Sequence, residues 1–161
     1  MSHNYKFWLK AESGEYADRG KLDLESSFNI KINDKTTGYV KYLSLAGIDT
    51  IGAPKNIYTE TYADSDRARV FFPKTVTHEQ TEIKLILCFL GKDRAKAYDN
   101  FCDFITSGLI TYWDTARKKE FTFYVDSEIT ISEELWYANT PYFKAEFKFK
   151  NINGKTKEHS L

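Results

Sequence analysis

The plainest pattern of apolar and polar positions lies in the second half of the chain. Ile83, Leu85, Leu87 and Phe89 alternate with Lys84, Ile86 and Cys88, and Phe143, Ala145, Phe147 and Phe149 alternate with Lys144, Glu146, Lys148 and Lys150. A period of two marks strands with one face in a core. Val76 to Leu90 therefore reads as the dominant strand. Ile86 and Cys88 on its second face suggest cover on both sides, with a helix as the natural cover. Between the two strands the period lengthens: Ala95, Tyr98, Phe101, Cys102 and Ile105 fall on one helical stripe over Lys92–Thr106. Asp93 suits the start of that helix, and Ser107-Gly108 its end.

The remaining elements are shorter. Tyr5–Leu9, Phe28–Ile32 (closed by the turn pair Asn33-Asp34) and Tyr39–Leu45 read as strands. Glu12 to Gly20 reads as a loop, and Ile48 to Asp66 as a long connection holding a short strand around Asn56–Tyr62. Arg69–Phe72 is a strand ended by Pro73. Leu109–Trp113 and Phe121–Val125 form a hairpin with the basic tip Arg117-Lys118-Lys119. Ile129–Ile131 is a short strand, and Glu133 to Pro141 a connection. The expected fold is α+β and mainly β: a twisted antiparallel sandwich or partial barrel with one packed helix near residues 92–106. A single domain spans residues 5–150, with 1–4 and 151–161 as frayed termini.

Composition narrows the function classes. The chain has 161 residues, one ordinary domain in length. Its 23 basic and 23 acidic residues cancel, which argues against general nucleic-acid binding, because that needs a basic surplus. Little global repulsion then opposes contact between copies. The 16% aromatic content fits strands and interfaces alike. No run of about 18 apolar residues suggests a membrane helix, and Met1–Lys6 lacks a signal-peptide core. The expectation is a chain made in a cytoplasm, with Cys88 and Cys102 as reduced, buried thiols.

Catalytic constellations are hard to find. His78 has only Glu79 beside it, whereas metal sites cluster their ligands; it reads as a solvent-facing strand residue. Cys88 and Cys102 lie outside any Cys-x-x-Cys spacing, and neither adjoins a histidine. The pairs Asp64/Asp66 and Glu133/Glu134 sit in expected connections, which suits solvation better than acid–base work. No catalytic, cofactor-binding or metal-ligating residue is assigned, and no cofactor. Two places suit a subunit interface. Arg67 and Arg69 flank Ala68 just before an aromatic strand, where alternation puts both on one side, and Trp136-Tyr137 would be costly to expose in a monomer unless it packs back over the sheet edge.

The order of a long strand, one helix, the stretch Tyr112-x-Asp114-x-x-Arg117 and the Phe-rich strand of Phe143, Phe147 and Phe149 resembles phage and prophage tail proteins. Asp66-Arg67-Ala68-Arg69 before the long strand adds to the likeness. The resemblance is greatest to the N-terminal domain of distal tail proteins and related tail-tube folds, and it covers the latter two thirds of the chain. It implies a non-enzymatic structural subunit that forms a homo-oligomeric, hexameric-type ring. It also implies contact with other tail proteins, no membrane, and residence in the virion after synthesis in the bacterial host's cytoplasm. The chain is shorter than a typical distal tail protein and has no room for its second domain. A β-sandwich module binding carbohydrate or peptide through exposed aromatics is the alternative, and an enzyme assembled from distant residues the next.

Overall fold

A computed structural model describes residues 7–61, 68–71, 73–115 and 117–158. The alternating segments form one antiparallel sheet, and the chain enters it in three stages. First come β1 (Phe7–Ala11), β2 (Leu22–Asp23), β3 (Ile30–Ile32) and β4 (Lys35–Ala46). A separate two-stranded ribbon follows, β5 (Tyr58–Thr61) and β6 (Ala68–Phe71), then β7 (Thr81–Leu90) and the helix α1 (Arg94–Ile105). The last stage is β8 (Ile110–Asp114), β9 (Lys119–Tyr124), β10 (Thr130–Ile131), β11 (Leu135–Tyr137), β12 (Thr140–Asn151) and β13 (Lys157–Glu158). The main sheet runs β2-β1-β8-β9-β12-β7-β4-β3, with β10 and β11 paired to β12 and β13 to β9.

The sheet curls into a partial barrel because β9 meets β12 only at Lys150 and Asn151, so the path turns a corner there. Beyond the corner the two limbs face each other. Phe123 stacks on Phe149 with ring centroids 3.9 Å apart, and Phe7 of β1 stacks on Tyr42 of β4 at 4.2 Å. Ile83, Leu85, Leu87, Phe89, Ala145, Phe147 and Phe149 all point into this interior and exclude water. The helix plugs it. Phe101 meets Phe28 and Phe147 edge-on, each at 5.0 Å, while Phe104 packs on Phe28 and Tyr16.

Several expectations need correction. The buried stripe of α1 is Ala97, Phe101, Phe104 and Ile105, with Tyr98 and Cys102 at its margin, and Ala95 is exposed. The helix covers the Leu87/Phe89 face of β7. On the other face Cys88 is buried and Ile86 half-buried without the helix, beside Lys84, which pairs with Glu146 at 3.6 Å. Asp93 occupies the helix start without making a side-chain capping bond, and the end is closed by Thr106 and Ser107, whose hydroxyls donate to the Cys102 and Phe104 carbonyls. The dominant strand begins at Thr81, not Val76. The stretch after Asn151, expected to fray, carries β13, and buried Thr156 donates its hydroxyl to the Ile48 carbonyl at 3.0 Å. β4 runs from Lys35 to Ala46 and absorbs a bulge near Leu43, which turns that side chain outward.

Candidate functional site

Trp136 and Tyr137 lie on a hairpin arm where a plain connection was expected. β11 pairs with the start of β12 in the register Leu135↔Tyr142, Trp136↔Pro141, Tyr137↔Thr140. Ala138 and Asn139 form the turn with φ of 49° and 66°. A two-residue turn with both φ values positive matches the right-handed twist of its strands. The base of the arm is fixed to the helix start. Arg94 pairs with Glu134 through Nη2, donates from Nε to the same carboxylate oxygen at 3.0 Å, and donates from Nη1 to the Gly91 carbonyl at 2.9 Å. The Gly91 N–H in turn donates to Pro141 O. On this anchored base Trp136 is 69% exposed and Tyr137 76%. The two rings do not pack back over the sheet edge.

The second interface candidate is only partly placed. Arg67 lies outside the described residues, as do Asp64 and Asp66. Arg69 belongs to β6, opposite Glu60 of β5 in the ribbon. Among the described residues the ribbon pairs with no strand of the main sheet. It leaves Tyr58, Val70 and Phe71 largely exposed, with the Tyr58 and Phe71 rings 5.7 Å apart. A two-stranded ribbon alone in water is marginal, so apolar cover from elsewhere suits it.

The ribbon springs from the rim of a cleft that the sequence did not suggest. Lys55, Val76, His78, Ile152 and Lys155, together with Lys119 of β9, line a volume of about 800 Å³. Its walls are tied together by backbone: Lys55 N–H to Thr77 O, Glu79 N–H to Ala53 O and Gly52 N–H to Gly154 O, each at 2.8 Å. His78 is not a free strand residue; it forms an isolated bridge with Pro54, and its Nδ1 lies 2.9 Å from the Gly52 carbonyl. Lys119 reaches Asp49 at 3.4 Å. Among the described residues no carboxylate side chain lines it. The sequence signal that could have found the cleft is the sparse set of lysines and glycines flanking the long strands, which carries no periodicity.

The other motifs prove structural. Asp114 is almost wholly buried and accepts the Arg117 N–H at 3.0 Å, while its other oxygen lies 3.7 Å from Arg117 Nε. Tyr112 lies in the core against Phe7 and Phe121. The Tyr-x-Asp-x-x-Arg stretch thus builds the β8–β9 turn. Cys88 and Cys102 are both free. Burial pushes the Cys102 thiol up to about 11, with Asp99 and Asp103 adding to the rise and a bond to Tyr98 opposing it. Burial also raises the Cys88 thiol, against the pull of Lys144. Neither is poised as a thiolate near neutral pH. Among the described residues no three His, Cys, Asp or Glu side chains gather in a way that could hold a metal ion, and no helix is long and apolar enough to cross a membrane.

Comparison with protein-family models, curated proteins and solved structures gave no match.

Proposed function

We propose that this chain is a structural, non-enzymatic subunit of a phage or prophage tail, of the distal-tail or tail-tube type, that self-associates into a ring. It is made in the cytoplasm of the bacterial host, carried in the virion, and contacts other tail proteins. The observation that carries the reading is the arm: an anchored hairpin holding Trp136 and Tyr137 in water. Large aromatics are enriched at the centres of protein interfaces, and holding them out rigidly lowers the ordering cost of association. The ribbon with Tyr58, Val70 and Phe71 adds a second exposed apolar set, and the balanced charge of the chain leaves little repulsion between copies. The order of elements that resembles tail proteins supplies the class of assembly.

Negative-stain microscopy of the concentrated protein tests the reading. Rings with a central opening, or tubes of stacked rings, are expected; a field without assemblies at millimolar concentration would contradict it. The same exposed Trp136 also favours a second reading, a module that stacks a sugar or peptide on the arm. That reading predicts a monomer whose tryptophan fluorescence changes on titration with oligosaccharide.

A further inference from the structure

The arm and the cleft lie at opposite ends of one ladder. β12 and β7 pair from Tyr142↔Leu90, beside the arm, to Asn151↔Thr81, beside the cleft. At about 3.4 Å per residue the two surfaces stand roughly 30 Å apart along the strand axis. Their chemistry is complementary. Between Ser132 and Phe143 the arm carries Glu133 and Glu134, both exposed, and no lysine or arginine. Among the described residues the cleft is lined by Lys55 and Lys155 beside the apolar Val76 and Ile152, and by no carboxylate. Lys119 is already engaged by Asp49, so Lys55 and Lys155 are the cations offered to a partner. On the arm, both Arg94 bonds fall on one oxygen of Glu134, and Glu133 points its charge into solvent one residue away.

From this placement, and resting on the reading that the chain self-associates, we infer that the β11–β12 arm of one copy seats in the Lys55/Lys155 cleft of the next. Trp136 and Tyr137 enter against Val76 and Ile152, and the Glu133 carboxylate faces the two lysines. Because the surfaces differ and occupy opposite ends, the contact is head-to-tail. It closes into a ring where the rotation per copy returns to the start, and otherwise grows as a filament. Two identical surfaces meeting about a twofold axis would instead stop at a dimer.

The test uses the whole chain in three forms, with mass read by light scattering. The arm variant is Trp136→Ala with Tyr137→Ala; the cleft variant is Lys55→Glu with Lys155→Glu. Each alone is expected to raise the concentration needed for association at least tenfold, with circular dichroism and melting temperature unchanged. Mixed in equal amounts, they pair one intact arm with one intact cleft, giving a dimer that grows no further. Association of either variant at the wild-type concentration overturns the arm-in-cleft contact while leaving self-association standing, and so does a mixture that stays monomeric. A wild-type chain that never associates overturns both. Should a double variant fail to fold, Tyr137→Ala and Lys155→Glu alone, both at exposed positions, replace it with the same expectations.

Discussion

Replacing Phe101 by alanine removes the ring that joins the helix to the sheet. Phe101 is fully buried, edge-on to Phe28 and Phe147 at 5.0 Å and tilted against Phe89 at 6.2 Å. Emptying a buried phenylalanine site costs about 3–5 kcal/mol, and each well-oriented aromatic pair adds about 0.5–1.5 kcal/mol beyond area alone. With three partner rings on different elements, neighbours cannot collapse into the space together. The loss should fall near the upper end, about 4–5 kcal/mol. A domain whose total stability is about 5–15 kcal/mol then remains folded only narrowly. Urea unfolding followed by far-ultraviolet circular dichroism measures the loss by linear extrapolation. The protein must be dilute, since association stabilises the folded state by mass action. Trp136→Ala is the control, because it removes an exposed ring and should shift stability by no more than about 0.5 kcal/mol. A Phe101→Ala cost below about 1 kcal/mol, or one equal to the control, would refute the helix as a plug of the partial barrel.

Three further expectations follow from single sites. The buried Tyr112 hydroxyl has no hydrogen-bond partner among the described residues, so Tyr112→Phe should be neutral or stabilise by about 1 kcal/mol in the same urea assay, and a clear loss would reveal a bond at that oxygen. Ala138 adopts a left-handed φ of 49°; Ala138→Gly should relieve about 1 kcal/mol of strain, read as a higher melting temperature, whereas a fall would argue against the two-residue turn. The Cys102 thiol, pushed up by burial to about 11 from 9.0, and Cys88 should both resist a thiol reagent at pH 8 until urea exposes them. Cys102 also holds its proton more tightly folded than unfolded. Its contribution to stability is therefore complete below pH 9.0 and is lost as pH rises towards 11. Fast labelling of both thiols in the native protein would contradict their placement.

The strands were legible where one face is buried along a run, because alternation records that burial residue by residue. β7 and β12 were placed this way, and the β8–β9 hairpin by its polar tip. The helix is legible in its spacing, with Phe101 and Ile105 buried as expected and Tyr98 and Cys102 at the margin. Only Ala95 falls outside the stripe, and Ala97 and Phe104 complete it. Phe104 and Ala97 face the core because the helix packs across the neighbouring strands β4 and β7 and also meets Phe28, a contact far apart in sequence. The arm was missed as a hairpin because Ala138-Asn139 lacks the glycine that usually announces such a turn. The cleft was invisible for a different reason. Lys55, His78 and Lys155 come from three irregular segments joined by backbone bonds between residues far apart in sequence, and irregular segments leave no period. Trp136 and Tyr137 stood out by composition alone. Their exposure depended on the Arg94–Glu134 anchor, which joins residues forty positions apart.

Self-association is the central claim, and the mass of the native protein measured by light scattering across a dilution series tests it most directly. Mass is expected to climb with concentration from the 18.7 kDa of one chain to a plateau at a fixed multiple. High salt should shift that rise to higher concentration, since charged groups line both proposed surfaces. A mass that stays at one chain throughout the series, at low and high salt alike, would contradict it.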